Sequence, residues 1–327
     1  MSKAIFTIVF LLSLSVTSNA SGQQFFGLGS IGYQVPTPAR VAPGQIISII
    51  VPDSEPRLTE PVVATGIPLP STLAGFSVVI FQTATPRQVP APIVAVEPAA
   101  LRCPPAAGRD CGWAVRLDVQ VPFELVPDYP DGDVGSPIPL NEAVLVVRKR
   151  GIAYPAIPIA PRTDSVHILT TCDALTPSSN PPCRPIIAHA DGSLVTESSP
   201  AEPGETLVLY AYGLGGTTPA VSTGDAARTS GIRPVSSVSL YYEFAPFQNA
   251  NVLEVPGPNA LPTIPSYVGL VEGFVGLYQI NFVVGQPLAG VPACSFLHRP
   301  NFVVTVSGPA LSDSAAFCVE ANAPGIP

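Results

Sequence analysis

Proline is the residue that most limits what this chain can fold into. The sequence contains 41 prolines, spread between short runs rich in Val, Ile and Leu rather than gathered in one block. Because proline lacks a backbone N–H and fixes φ, it interrupts helix interiors and the central strands of sheets. The sequence therefore predicts many short strands joined by frequent turns, and it contains no amphipathic helical pattern of useful length.

Composition places the chain among folded proteins and limits its partners. Hydrophobic residues make up 46% of the 327 residues and charged residues 12%, the reverse of the balance in disordered chains. The length suits about two domains. With 15 basic against 23 acidic residues, the formal net charge is -8. Such a chain repels phosphate backbones, so we expect no nucleic acid partner.

The N-terminus has the pattern of a secretory signal peptide. A short basic start is followed by an apolar run from Ala4 to Val16 and by small residues at Ser18 and Ala20. The run is too short to span about 30 Å of hydrocarbon, and no second run of this kind follows. We therefore predict a signal peptide at 1–20, no membrane span, and a secreted protein that is extracellular or periplasmic.

The six cysteines fall into three pairs of near neighbours along the chain. Sequence alone cannot fix their pairing, but export to an oxidising compartment favours disulfides between neighbours. A metal site is the alternative, and the spacing argues against it, since Cys-x-x-Cys is absent and the three histidines are isolated. The predicted disulfides are Cys103–Cys111, Cys172–Cys183 and Cys294–Cys318.

Two similar units follow each other along the chain. Pro43-Gly44 and Pro203-Gly204 each precede an apolar run, and Pro92–Val96 and Asn251–Val255 match at nearly the same offset. A near-constant offset indicates a tandem repeat. We predict an all-β fold of two tandem immunoglobulin-like β-sandwich domains, at 21–168 and 199–327.

Alternation within the strands predicts which side chains are solvated. In the run Leu117–Val121, apolar and polar residues swap at period two, so we expect Asp118 and Gln120 to face water. The basic cluster Arg148-Lys149-Arg150 precedes Gly151, and we interpret it as a solvated hairpin tip, with an anion site as the alternative.

The connector at 169–198 also looks folded. It begins with a Pro- and Ser-rich loop closed by the predicted disulfide Cys172–Cys183. Asp191-Gly192 then lies between apolar runs, which is a strong signal for a β-hairpin turn with positive φ. A folded connector favours docking of the two domains over free swinging.

Several runs together resemble a known bacterial family. They include Ile67–Val78, Val119–Pro122, Leu209–Gly215 and, most specifically, Gly273–Asn281. The chain resembles the Solibacter uncharacterised C-terminal domain family, which is related to IPT/TIG immunoglobulin-like domains, over nearly all its length after the predicted leader. The resemblance implies export and an IPT/TIG-like β-sandwich. It brings no known activity and no catalytic residues.

The sequence lacks the common catalytic motifs. It has no Gly-x-Ser-x-Gly elbow and no paired histidines one helical turn apart. Gly213–Gly216 lacks the lysine of a phosphate-binding loop, so we interpret it as a turn after a strand. We therefore predict no enzymatic activity and no cofactor, apart from the calcium considered next.

Two groups of residues are candidates for binding. Asp128, Asp131 and Asp133 place three carboxylates within six residues, which fits a Ca²⁺ site or an acidic turn. The aromatic residues of the second unit can form a platform for sugars or partner proteins, or fill its core. The candidates for such a platform are Tyr241, Tyr242, Phe244 and Phe247.

Three functions agree with these features. The first is a secreted non-catalytic binding or adhesion module, with a polysaccharide or a cell-surface protein as partner. The second is a structural spacer or assembly component of the cell surface. The third is a secreted hydrolase whose site has no recognisable motif, since catalytic groups can assemble from distant positions.

Overall fold

A computed structural model describes the folded part of the chain. The described residues are 27–30, 33–34, 39–53, 56–82, 87–100, 113–127, 143–173, 184–244, 256, 259–286, 291, 294 and 300–320. They contain strands and turns but no α-helix, which confirms the all-β prediction. The predicted signal peptide lies outside them, and nothing within them forms a helix long and apolar enough to cross a membrane.

Short strands dominate the described residues, as the distribution of prolines predicts. The strands are β1 (Gly27–Ser30), β2 (Tyr33–Gln34), β3 (Ala39–Val41), β4 (Ile46–Pro52), β5 (Val62–Val63), β6 (Thr72–Leu73), β7 (Phe76–Gln82), β8 (Arg87–Ala91), β9 (Ile93–Ala100), β10 (Trp113–Gln120), β11 (Ala143–Lys149), β12 (Ile152–Ala153), β13 (Ile157–Pro161), β14 (His167–Ile168), β15 (Ile187–Ala188), β16 (Thr206–Tyr212), β17 (Thr217–Thr218), β18 (Arg233–Pro234), β19 (Ser239–Glu243), β20 (Leu261–Thr263), β21 (Tyr267–Leu270), β22 (Tyr278–Val283), β23 (Phe302–Ser307) and β24 (Ser312–Phe317).

The first unit is built from two facing sheets. The first sheet has the order β2-β1-β4-β10-β9-β5, and the second has β3-β13-β11-β7-β6, with β12 beside β11 and β8 beside β7. One apolar cluster takes Ile49 and Leu117 from the first sheet and Ile80 and Leu145 from the second. The two sheets are therefore the layers of a β-sandwich around this cluster.

The second unit repeats this arrangement with its own apolar cluster. The third sheet has the order β14-β16-β22-β21 with β15 beside β16, and the fourth has β20-β19-β23-β24; β17 and β18 form a separate ribbon. Leu209 and Tyr278 of the third sheet pack with Leu240 and Phe302 of the fourth. The described residues thus contain two layered β units, while their assignment as tandem immunoglobulin-like domains remains a prediction.

The Pro-Gly turn of each unit is held by the same hydrogen bonds. Gly44 N donates to Val121 O in the first unit, and Gly204 N donates to Val284 O in the second. Both glycines have positive φ, of 77° and 85°, a region that glycine adopts without steric penalty. A parallel pairing precedes each turn, between β3 and β13 in the first unit and between Ala201 and Val319 in the second.

The order of strands in the sheets differs from the sequence match between the two units at one strand. In the first sheet β9 lies beside β10, and in the third sheet β21 occupies the corresponding place beside β22. By position in the sheet, β21 is therefore the counterpart of β9. The run Asn251–Val255, which the sequence matches to Pro92–Val96, lies outside the described residues.

The second unit includes the predicted connector and the end of the predicted first unit. β14 lies just before the connector and β15 within it, and both pair with β16; Ile168 and Ile187 belong to the second apolar cluster. The Asp191-Gly192 turn is closed by His189 N donating to Ser193 O, and Gly192 has a φ of 86°. Because its apolar residues are part of that core, this segment cannot move independently of the second unit.

One predicted disulfide lies within the described residues. Cys294 and Cys318 are bonded, with their Cα atoms 5.4 Å apart, which confirms this pairing. Cys172 is also disulfide-bonded. Its predicted partner Cys183 lies outside the described residues, as does the predicted pair Cys103–Cys111.

The basic cluster on β11 is only partly a solvated tip. Arg150 and Gly151 form the tight turn between β11 and β12, as predicted, and Arg150 is exposed. Lys149, however, is buried, with an exposed fraction of 6%. The prediction of a fully solvated cluster was wrong for Lys149 because its side chain turns under the tip and forms an ion pair with Asp53.

Candidate functional site

The aromatic residues singled out in the sequence do not form one exposed platform. Tyr242 stacks on Phe302, with ring centroids 5.5 Å apart and an interplanar angle of 8°. Phe244 meets the same ring edge-on at 4.9 Å. Tyr241 points to the opposite face of β19 and is half-buried, and Phe247 lies outside the described residues. Tyr242 and Phe244 therefore extend the second apolar cluster.

The predicted calcium ligands cannot be placed. Asp128, Asp131 and Asp133 all lie outside the described residues. Within the described ranges, no group of three or more His, Cys, Asp or Glu side chains is arranged to hold a metal ion. Calcium binding by these three aspartates remains a prediction.

The polar face of the first sheet is buried, contrary to the prediction from alternation. Asp118 is 1% exposed and Gln120 is 0% exposed. The second unit covers them: Gly224 N donates to Gln120 Oε1 at 2.7 Å, and Gly276 also approaches the Gln120 amide. The alternating pattern was correct for a strand, but it could not reveal that another part of the chain packs on the polar side.

The two units meet along a seam of backbone and side-chain contacts, formed by Leu69, Gln120, Phe123, Thr223 and Gly224. Leu69 N donates to Gly224 O at 2.8 Å, and Phe123 N donates to Thr223 Oγ1 at 2.8 Å. These bonds join loops of the first unit to the loop before β18. They fix the relative position of the two units, which supports docking rather than free swinging.

Close backbone contacts tighten this junction. A Cβ atom on Gly213 would lie 2.0 Å from Ser165 O, and one on Gly276 would lie 2.3 Å from Gly44 O. Gly213 and Gly215 have positive φ and directly follow β16, so this run is a turn after a strand, as predicted. Glycine is required here because no other residue lets the backbones approach so closely.

An ionic network lies on the polar face of the first sheet. Ser48 Oγ donates to Asp118 Oδ1 at 2.6 Å, and Arg116 Nη2 lies 3.1 Å from Asp118 Oδ2 and 3.0 Å from Glu97 Oε2. Burial raises the pKa of Asp118, and Arg116 and Ser48 act in the opposite direction. Burial likewise raises the pKa of Glu97, against the charge of Arg116. Perturbed carboxylates of this kind occur both in functional sites and in structural ion networks.

A second network lies where the connector meets the fourth sheet. His167 Nε2 is 3.1 Å from Asp173 Oδ2, and His167 Nδ1 is 3.5 Å from Asp313 Oδ2. Burial alone would lower the pKa of His167, but the hydrogen bonds and charges of the two aspartates raise it to about 9. The imidazolium form is therefore the stable one at neutral pH.

Tyr212 lies close enough to both networks to be affected by a charge of each. It pairs with His167 in the register of β14 and β16, so the two side chains share one face. Burial, together with the charges of Asp118 and Asp173, raises the pKa of Tyr212 to about 12. The phenol is therefore a neutral group between the charged groups of the two units.

Three polar residues of the hairpin after β15 resemble a nucleophile, a base and an orienting acid. His189 Nδ1 is 2.6 Å from Glu205 Oε1, and His189 Nε2 is 3.3 Å from Ser199 Oγ. Burial would lower the pKa of His189, but the hydrogen bonds to Glu205 and to Ser199 O raise it. His189 Nε2 also lies 3.2 Å from Ser199 O, and a ring nitrogen that donates to this carbonyl cannot accept the serine proton.

The surroundings of Ser199 also argue against acyl transfer. Ser199 N donates to Thr196 Oγ1, and the next residue, Pro200, has no N–H to stabilise an oxyanion. We therefore interpret these contacts as a clasp that fastens the hairpin to the turn before β16. Sequence reasoning missed this group because its members are brought together by the hairpin and carry no motif.

The end of the first unit opposite the seam exposes an aromatic and basic surface. Trp113 at the start of β10 is 53% exposed, and the guanidinium of Arg57 lies 5.3 Å from the centroid of its ring. Ile152, at the tip of the β11–β12 hairpin, is 76% exposed, and Arg150 beside it is exposed. We call Arg57, Trp113, Arg150 and Ile152 the distal tip. Because Trp113, the only tryptophan, carries no motif, sequence analysis did not single it out.

Comparison with known proteins adds no identification. No protein-family model and no curated protein matches this chain. The resemblance to the Solibacter family therefore remains an expectation.

Proposed function

We propose that this chain is a secreted binding or adhesion module that acts by contact through the distal tip of its first unit. The observation that carries the proposal is the exposed Trp113 beside Arg57. A large exposed aromatic ring often marks a binding surface, since its burial on binding removes apolar surface from water. The loops at the ends of β-sandwiches are also common binding surfaces, because the sheets hold them rigidly.

An anionic polysaccharide fits this tip best. Indole faces stack on sugar rings, and Arg57 and Arg150 add positive charge in a chain whose net charge is -8. A cell-surface protein is the other partner class and is distinguished by the same experiment. The disulfide Cys294–Cys318 agrees with an oxidising compartment, which supports the proposed extracellular or periplasmic location.

The test is a binding screen of the purified chain on neutral and anionic polysaccharides. We expect retention on an anionic polymer that is weakened at least about tenfold by Trp113→Ala, the loss of one good aromatic stacking contact. Ile264→Ala, which removes another exposed apolar side chain far from the tip, is the matched control and should bind as the wild type does. Equal binding by Trp113→Ala and wild type would exclude the tip as the binding surface.

A structural spacer or assembly component is the second candidate, and the seam favours it. The hydrogen bonds of Gln120, Phe123 and Leu69 hold two β units at a fixed distance, as a spacer requires. If the wild type is retained by no polysaccharide and by no cell-surface protein, the spacer function replaces the binding module.

A further inference from the structure

A buried ion pair joins the two layers of the first unit under the distal tip. Asp53 follows β4 of the first sheet, and Lys149 ends β11 of the second. Lys149 Nζ contacts Asp53 Oδ1, and the two side chains are only 7% and 1% exposed. The chain has two lysines, Lys3 and Lys149, and the second is enclosed in protein. Lysine is among the residues least often buried, so its position here requires a reason.

The surroundings orient both partners for a reaction. Lys149 Nζ donates to Pro56 O at 2.8 Å, and Leu58 N donates to Asp53 Oδ2 at 2.7 Å. The fully buried ring of Phe76 lies 5.1 Å from Nζ and closes the site against water. The site thereby holds together an amine, a carboxyl group and a hydrogen-bond donor to one carboxyl oxygen, all at low solvent exposure.

We propose that Lys149 and Asp53 condense to an intramolecular amide, which crosslinks the two sheets of the first unit. Proton transfer from the ammonium to Oδ1 gives a neutral amine and a carboxylic acid. The Nζ lone pair then attacks Cγ, and the negative charge that develops on Oδ2 is stabilised by the Leu58 N–H. A second proton passes from Nζ to Oδ1, which leaves as water. One N–C bond forms, one C–O bond breaks, and no oxidant or net proton is needed.

Two physical effects favour this step here over bulk water. Contact between the reacting groups replaces a bimolecular encounter, which raises effective concentrations by several orders of magnitude. Burial also disfavours the separated charges of the ion pair. The released water is diluted into solvent, and the low exposure of the two side chains limits the reverse hydrolysis.

The crosslink would clamp the unit at the end opposite the seam. It closes a loop between positions separated by 96 residues, and it fastens an early strand of the unit to a late one. A permanent link of this kind lets a sandwich bear load between its ends, which suits an exported module that holds a surface. The chemistry itself does not depend on the proposed ligand.

Intact mass spectrometry of the full chain, reduced and denatured, decides between the amide and a simple ion pair. We expect the mass to fall short of the sequence mass by one water, and a digest to contain a branched peptide that joins Asp53 to Lys149. Lys149→Arg and Asp53→Ala should restore the full mass. Arg184→Lys, which adds an amine at an exposed position, is the matched control and should keep the deficit.

A second outcome of the mass measurement would overturn the proposal. If the wild type has its full sequence mass and an amine-reactive label modifies Lys149 in the denatured chain, the pair is only ionic and the proposal is wrong. The mass and the labelling are measured on the wild-type protein, so the result holds even if a variant fails to fold. A binding screen can fail or succeed independently of it, which keeps this proposal separable from the proposed function.

Discussion

At the scale of single residues, several side chains of this protein are polar or charged and yet buried. Asp118, Gln120 and Lys149 each carry a polar or charged group where alternation and composition indicate water. Each has a polar contact with a residue distant in sequence, respectively Ser48, Gly224 and Asp53. Burial of a charge without such a partner is strongly destabilising, so these residues depend on their partners.

The charge of His167 should make stability fall at alkaline pH. Its pKa is 6.5 when unfolded and about 9 in the fold, so its contribution is complete below pH 6.5 and is lost as the pH rises through about 9. The shift corresponds to about 3 kcal/mol. Urea unfolding at both ends of this interval should show that decrease in the wild type and a much smaller one in His167→Gln. The same decrease in both proteins would contradict this assignment.

At the scale of elements, aromatic packing fixes the chain after β22. A Cβ atom on Gly285 would lie 2.4 Å from Tyr242 Cε2, and Tyr242 is itself stacked on Phe302. Glycine is therefore required at position 285 because the Tyr242 ring occupies the space of a side chain, and not because the backbone turns there. Such a ring cannot move aside without losing its own packing.

Gly285→Ala should destabilise the second unit by about 1–3 kcal/mol, because the added methyl group displaces the Tyr242 ring. Thermal unfolding followed by circular dichroism measures the effect. Gly216→Ala is the matched control, since its added Cβ meets only Val235 at 3.9 Å and should change stability little. In a Tyr242→Ala background the Gly285 substitution should lose most of its effect; an undiminished effect would show that the ring is not its cause.

At the scale of the whole molecule, the seam couples two units that have separate cores. The apolar clusters share no residues, and the contacts between units include hydrogen bonds such as that from Gly224 N to Gln120 Oε1. Hydrogen bonds are directional, so a polar seam sets the relative orientation of the units more strictly than an apolar contact would.

Gln120→Leu should loosen the seam, since it keeps the side-chain volume but leaves Gly224 N–H buried without its acceptor, at a cost of about 1–3 kcal/mol. Calorimetry should change from one cooperative transition to two, and the Gly224 amide should exchange faster. Gln88→Leu, at an exposed position on β8, is the matched control and should retain a single transition. A single transition in Gln120→Leu would mean that other contacts carry the coupling.

Features that depend on neighbours along the chain were predictable from the order of the amino acids. Scattered prolines and period-two alternation gave short strands and an all-β fold, and the Asp191-Gly192 turn and the bond between Cys294 and Cys318 followed from local spacing. Which faces of the sheets are covered depends on contacts between distant segments of the chain. A strand pattern records two faces but not what packs on each, so the burial of Asp118 under the second unit and of Lys149 against Asp53 required the folded chain.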